Sequence, residues 1–206
     1  MPDDQSLLPG IASAQGLHHH VFFAVLADAD AGLKADRLCD QEMALRHLEG
    51  SKVRRERLHV TLVSLGWDAE FPAHKVGLAR LAAAQVDAPA FTLRLDRCLS
   101  FQRRNARRPL VLCGHGAGVA GFLELHRSLY GALDSAFSGG AGAAAHGVPS
   151  VTPHMTLIYS PSVVQPHPVE PVGWTVREFQ LLYNLRGSPG PYRVLGRWTL
   201  QDLRCM

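Results

Sequence analysis

Two copies of one short pattern stand out in this chain: His59-Val60-Thr61-Leu62 and His154-Met155-Thr156-Leu157. An imidazole titrates near neutral pH, and on an extended strand a hydroxyl two residues on shares its face. His59, Thr61 and Val63 are therefore expected on one face, with Val60, Leu62 and Ser64 on the other. The second copy groups His154, Thr156 and Ile158 in the same way. Two such strands lining one cleft would pair two acid–base groups and supply hydroxyl donors for an anion. A neutral imidazole takes a proton from an attacking oxygen and an imidazolium gives one to a departing oxygen, each step worth about 100- to 10,000-fold in rate. That suits phosphodiester exchange at an internal hydroxyl, where attacking and departing oxygens lie on opposite sides of phosphorus, and it needs no metal. Thr61 and Thr156 can donate to the nonbridging oxygens, where charge builds. A lone His-x-Thr is usually structural, its Thr chosen for strand propensity. Two copies with matching apolar flanks favour the catalytic sense.

The elements that must position these residues are read from periodicity and punctuation. Val21 to Ala27 is an apolar, β-forming run and predicts a buried strand. Asp28 or Asp30 caps a helix over about residues 34–48, its apolar side given by Leu38, Met43, Leu45 and Leu48, and Gly50 ends it. The first His strand comes next. A second helix is expected over about 73–86, from the spacing of Val76, Leu78, Leu81 and Ala82, with Pro89 at its end. Phe91 to Arg97 alternates as a half-buried strand, and Pro109 to Cys113 reads as another. A long helix over about 119–137 carries Phe122, Leu125, Leu129, Leu133 and Phe137. The Gly-rich stretch 138–142 breaks regular structure before the second His strand. Strands at about 175–185 and 192–200 are joined by Gly187-Ser188-Pro189-Gly190-Pro191. The order is β-α-β-α-β and then β-α-β-β-β, which suggests a weak internal duplication with one His strand in each half.

Composition narrows the class. A chain of 206 residues forms one domain or two small lobes, and an apolar fraction of 47% argues against disorder. A net charge of +3 permits an anionic substrate without requiring one. Cys39, Cys98, Cys113 and Cys205 have no CxxC spacing, which points to free thiols in a reducing, cytoplasmic setting. No apolar run reaches bilayer length, and the acidic Met1-Pro2-Asp3-Asp4 start is unlike a secretion signal. Residues 1–17 are expected to form a loose arm. No Gly-rich loop comes after the first strand, which weighs against dinucleotide-binding and P-loop proteins.

The paired His-x-Thr-Leu pattern resembles the 2H phosphoesterase superfamily, in particular the bacterial RNA 2′,3′-cyclic phosphodiesterases also called 2′-5′ RNA ligases. The similarity runs from about Val21 to Leu200. It is supported by Phe22-Phe23-Ala24, by Leu65-Gly66 closing the first motif strand, by Arg108-Pro109-Leu110-Val111-Leu112, and by Tyr192 to Leu200. The resemblance implies an α+β, bilobal fold forming a single domain. Two pseudo-symmetric lobes each carry an antiparallel sheet with flanking helices, and the site lies in the cleft between them. It implies that His59 and His154 are the acid–base pair, with Thr61 and Thr156 holding phosphate. The implied reaction opens a 2′,3′-cyclic phosphate to a 2′-phosphate, and the reverse of related chemistry joins RNA ends through a 2′-5′ bond. The implied partner is RNA or a nucleotide with a cyclic phosphate; separately, the chain is expected to act as a monomer, with no cofactor, metal or membrane. Many members carry Arg where this chain has Tyr159, and a Tyr can stack or donate one hydrogen bond but supplies no charge.

Other residues carry weaker signals. Phe23 could stack on a base from the cleft wall, against the simpler expectation of core packing. Tyr192 and Arg193 come after a flexible turn and could reach the site, or Tyr192 could simply pack. Gln102 to Arg108 is a basic loop that could track an RNA backbone or simply be solvated. His18-His19-His20 could be a metal tract but is expected to be incidental. His115, His126 and His146 occur in no repeated context and are expected at surface or helix positions. Asp87, Asp96 and Asp134 are not spaced as metal ligands. Two alternatives to the enzyme remain at this point: a nucleotide- or RNA-binding module with little turnover, and a metal hydrolase built on several of the eleven histidines.

Overall fold

The computed structural model describes residues 16, 18–102, 107–139 and 147–202. All of the expected arm but Gly16, together with Cys205, His146 and the heart of the basic loop at 103–106, lies outside the described residues. Among those described, nine strands form one open sheet in the order β7-β4-β5-β6-β3-β1-β8-β9, with β2 added on β6. The strands are β1 (His19–Leu26), β2 (Ser51–Lys52), β3 (His59–Asp68), β4 (Phe91–Ser100), β5 (Arg108–Cys113), β6 (His154–Ser160), β7 (His167–Val176), β8 (Glu178–Leu185) and β9 (Arg193–Thr199). All their pairings are antiparallel. The sheet narrows to a single residue pair, Val60 with Met155, where β3 meets β6. That pair joins two halves, β3-β1-β8-β9 and β7-β4-β5-β6, and each half brings one His strand to the seam. The expected α+β, two-lobed architecture is therefore present.

Among the described residues, three α-helices cover the core face. Helix α1 (Ala29–Arg46) starts at Asp28, whose carboxylate accepts from the Ala31 amide at 2.8 Å, as an N-cap should. It ends at His47 in the left-handed conformation (φ 50°), not at Gly50. Gly50 has a different task. Its φ of 155° lies outside the usual range for side-chain-bearing residues, and a Cβ there would run into the Tyr159 carbonyl. Only glycine lets this loop press on β6, where Ser51 pairs with Tyr159. The buried face of α1 is Ala31, Ala35, Leu38 and Cys39, while Leu45 is 73% exposed. Small residues let the helix sit close to the sheet, and the bulkier Leu45 falls outside. Helix α2 (Ala73–Ala83) likewise buries Val76, Ala79, Ala82 and Ala83 and leaves Leu81 outside. Helix α3 (Ala120–Phe137) buries Phe122, Leu125, Leu129 and Leu133 as its spacing predicts, while Phe137 is exposed.

The expected strand over 175–185 is two strands, β7 and β8, which break at Arg177. Most of β7 precedes Thr175 and includes Pro168 and Pro171, residues that discourage a strand reading. It tolerates them because β7 is the sheet's outer edge, paired only with β4 among the described strands. No described helix is long and apolar enough to cross a membrane.

Candidate active site

The site is set by the seam pair. Val60 and Met155 are both fully buried in the core. Their neighbours His59, Thr61, His154 and Thr156 therefore all point to the opposite face, and each is half-buried. In the antiparallel register through Val60 and Met155, His59 lies across from Thr156, and Thr61 across from His154. A pseudo-twofold axis thus relates the two motifs, and each imidazole faces the other strand's hydroxyl.

The strict alternation expected beyond the threonines does not hold. Between Thr61 and Val63, β3 has one residue more than its partner β1, and between Thr156 and Ile158, β6 has one more than β5. These are β-bulges at the same place in both motifs. Each reverses the facing of the residues beyond it. Val63 and Ile158, expected beside the histidines, pack against the core. Ser64 and Tyr159 turn to the cleft instead. Ser64 Oγ lies 2.9 Å from His20 Nε2, and Tyr159 is 37% exposed and close enough to Tyr192 to raise its pKa electrostatically. The carbonyl of each bulge leucine is taken by another element. Leu62 O accepts from His126 Nδ1 at 2.9 Å, and Leu157 O accepts from the Val53 amide at 2.8 Å. His126 is thus no incidental helix position. It is buried on α3 and also reaches the Pro149 carbonyl at 3.2 Å.

Both site imidazoles are oriented alike. His59 Nδ1 donates to the Arg57 carbonyl at 2.7 Å, and His154 Nδ1 donates to the Thr152 carbonyl at 2.8 Å. A carbonyl only accepts, so Nδ1 carries a proton in each ring and proton exchange with a substrate falls to Nε2. Burial, opposed by the Arg57 carbonyl and aided by the charges of His154 and Arg57, pulls the His59 pKa down to about 4. His59 is therefore neutral at pH 7, with a lone pair on Nε2.

The cleft floor on the His59 side is Phe22, Ala24 and Leu182, flanked by Leu26 and Tyr192. Phe22 lies 5.2 Å from His59 between ring centroids, and Tyr192 meets both His59 and Phe22 edge-on at 5.2 and 5.1 Å. The Arg57 guanidinium covers the Tyr192 ring at 4.2 Å and binds Asn184 Oδ1 at 2.8 Å. Burial pushes the Tyr192 hydroxyl pKa up. Tyr192 thus packs beside His59, whereas Arg193 is exposed on β9. Phe23 is not in the cleft. It is fully buried against Phe179 and Trp198, because its register partners Val63 and Leu181 lie on the core face. Phe22, its neighbour, is the aromatic on the cleft side of β1, where it packs against His59 and Tyr192. On the other side, Phe101 packs edge-on against His154 at 4.8 Å. Phe101 and Arg57 carry no signal in the sequence, since neither belongs to a repeated motif, and the expected helix position of His126 gave no hint of its long-range carbonyl partners.

One further group holds metal-ligand atoms, those of Glu42, Cys98 and His167, within 4.8 Å of one another. It does not belong to the cleft. Cys98, Leu112 and Met155 are successive cross-strand partners and share the core face, opposite His154. Glu42 there is already paired with Arg46 at 2.6 Å and with His167 at 3.0 Å, and burial pushes the Cys98 thiol up to about 12. The group reads as a compensated ion-pair cluster under α1.

Comparison with known proteins agrees with this geometry. The family model of the 2′-5′ RNA ligase superfamily matches residues 35–188. E. coli LigT in its apo form is 25% identical, with 90% of this chain and 99% of that one covered at a TM-score of 0.63. E. coli LigT complexed with ATP is 26% identical over 89% and 99%, at a TM-score of 0.65. TT0787 of Thermus thermophilus shares the fold at a TM-score of 0.67, with 21% identity over 89% and 99%. Comparison with curated proteins gives no match. With three quarters of its length inside the family model and the two His-x-Thr strands facing one cleft, the chain belongs to the 2′-5′ RNA ligase superfamily of 2H phosphoesterases.

Proposed function

We propose that this cleft opens 2′,3′-cyclic phosphates, at RNA ends or on nucleotides, to 2′-phosphates by two-histidine acid–base catalysis. The observation that carries it is the matched orientation of His59 and His154, each with Nδ1 fixed on a carbonyl so that Nε2 is the nitrogen that exchanges a proton. His59, neutral at pH 7, takes a proton from water as the water oxygen bonds to phosphorus. The bond from phosphorus to the 3′-oxygen breaks on the opposite side, and His154 as imidazolium gives that oxygen its proton. Thr61 and Thr156 donate to the nonbridging oxygens as their charge grows. A 5′-hydroxyl in place of water gives a 2′-5′ phosphodiester by the same transfers, which is the ligase direction. The phosphate anion between the rings favours the protonated form of one of them, and neither proton transfer calls for a metal. E. coli LigT has been crystallised with ATP and with 3′-AMP, which supports a nucleotide or RNA partner here. Three buried free thiols, Cys39, Cys98 and Cys113, support a reducing, cytoplasmic setting.

The test is hydrolysis of a 2′,3′-cyclic nucleotide in excess chelator, with the product identified by 31P NMR. A 2′-phosphate that forms at an undiminished rate is expected. A 3′-phosphate product, or loss of activity on chelation, contradicts the proposal. A binding module with little turnover is the alternative, favoured by the uncharged Tyr159 on the His154 strand. Tight binding of the cyclic nucleotide with no product over long incubation would select it.

A further inference from the structure

The aromatic wall does not stop at Phe22. His20, next on the same face of β1, lies flat against Phe22 at 4.7 Å and 18°. Its other face carries Trp67, the cross-strand partner on β3, at 4.5 Å and 9°. Ser64 Oγ fixes the imidazole edge at 2.9 Å from Nε2. Three nearly parallel rings thus lead outward from the tilted Phe22–His59 contact: Phe22, His20, Trp67. The row runs from closed to open, since Phe22 is 2% exposed and Trp67 37%. Its outer end is cationic, with the exposed Arg186 guanidinium over the Trp67 ring at 5.8 Å from its centre, a gap that a base entering between them would widen only slightly. The adjoining carboxylate, Asp68, is held by Lys75 at 2.8 Å. Burial keeps the His20 ring neutral, its pKa lowered to about 4, so it stacks as a flat aromatic spacer and carries no charge of its own.

A partly exposed flat ring with a cation over it and a continuous aromatic connection to the candidate cleft fits a nucleobase. Bases stack on such faces irrespective of sequence, and guanidinium groups add both stacking and phosphate contact. Because His20 and Phe22 separate Trp67 from His59, the base it takes does not belong to the nucleotide whose phosphate reacts. We propose that Trp67, propped by His20 and flanked by Arg186, is a stacking platform for a base further along the strand, which makes single-stranded RNA ends better substrates than mononucleotides. This rests on the cyclic phosphodiesterase reading and adds a substrate class to it.

The experiment compares kcat/KM for a trinucleotide ending in a 2′,3′-cyclic phosphate with that for the cyclic mononucleotide, in the full chain and in Trp67→Ala and Trp67→Phe. The trinucleotide-to-mononucleotide ratio is expected to exceed one in the parent and to fall about 5- to 100-fold in Trp67→Ala, the range for losing one base–aromatic stack. Trp67→Phe should restore most of it. His20→Ala should lower the ratio less, by loosening the platform. An unchanged ratio in Trp67→Ala overturns the proposal, as does an equal loss on both substrates, which would mark Trp67 as support for His59. Affinity for a fluorescein-labelled trinucleotide 3′-phosphate is measured in parallel. If neither cyclic substrate turns over, the phosphodiesterase reading fails, and the platform still stands or falls on whether Trp67→Ala weakens that binding.

Discussion

The two walls of the cleft share a motif, a bulge and an imidazole orientation, yet they are built differently. The His59 wall is closed by Phe22, Tyr192 and the Arg57 guanidinium, and a second imidazole, His20, lies behind it. The His154 wall meets Phe101 and carries the more exposed Tyr159. A duplicated strand pattern therefore yields symmetric geometry with asymmetric electrostatics. On the proposed mechanism, the difference teaches how one motif used twice could supply two roles: burial and neighbouring positive charge depress the basicity of one ring, which suits it to take a proton while the other gives one.

The largest effects expected are on chemistry. His59→Ala and His154→Ala should each lower kcat by about 100- to 10,000-fold, the worth of a positioned general base or acid. The double variant should be barely worse than the poorer single one, because the two rings act as a unit. Steady-state kinetics on a cyclic nucleotide check this, and a full additive loss would mean the walls work independently.

Next in size is the pH dependence of stability. His59 and His20 have folded-state pKa values of about 4, below about 6.5 for the unfolded chain. Between those values the unfolded state binds more protons, so their contribution is fully present above about pH 6.5 and is lost as pH falls toward 4. Allowing for solvent screening, the loss is of the order of 2 kcal/mol for each ring. Urea midpoints of the parent and of His20→Phe, measured at pH 7.5 and 4.5, should differ in slope, the variant losing less. Equal losses would remove His20 from the account of the closed wall.

A smaller test addresses the other wall. Gly50→Ala sets a side chain against the Tyr159 carbonyl at a φ of 155° and should cost roughly 1–3 kcal/mol. Its kinetic effect should exceed its effect on the His59 pKa, since it displaces β6 alone. Smallest is Arg57→Met. Removing the guanidinium's repulsion should move the His59 pKa up toward its ordinary value, seen by NMR titration of the ring. The accompanying change in kcat/KM should stay within about fivefold, because the Arg57 backbone carbonyl that orients His59 remains.

Much of this was legible in the sequence where burial is one-sided. The His and Thr positions face the cleft because Val60, Leu62, Met155 and Leu157 must face the core, and α3 obeys its leucine spacing. Strand β1 was harder. Val21, Phe23 and Val25 line the core while Phe22, Ala24 and Leu26 line the cleft, and with both faces apolar no alternation tells Phe22 from Phe23. The bulges left no mark either. An extra residue in a β-forming run has no composition of its own, so strict alternation groups Ser64 with the core-facing Val60 and Leu62 when it lies on the other face. Long-range partners such as His126 on the Leu62 carbonyl depend on tertiary contact, which spacing along one element cannot show. Residue 159 is the place where sequence and structure meet most usefully. The chain puts an uncharged phenol there, and the bulge turns it toward the cleft.

The central claim is that two imidazoles of unequal basicity share the proton transfers at one phosphate. The pH profile of kcat/KM for a 2′,3′-cyclic nucleotide, measured in chelator for the parent, His59→Ala and His154→Ala, tests it most directly. A bell-shaped parent profile is predicted, with the acid limb lost in His59→Ala and the alkaline limb lost in His154→Ala. A parent profile that is flat across neutral pH, or either variant turning over like the parent, would contradict it.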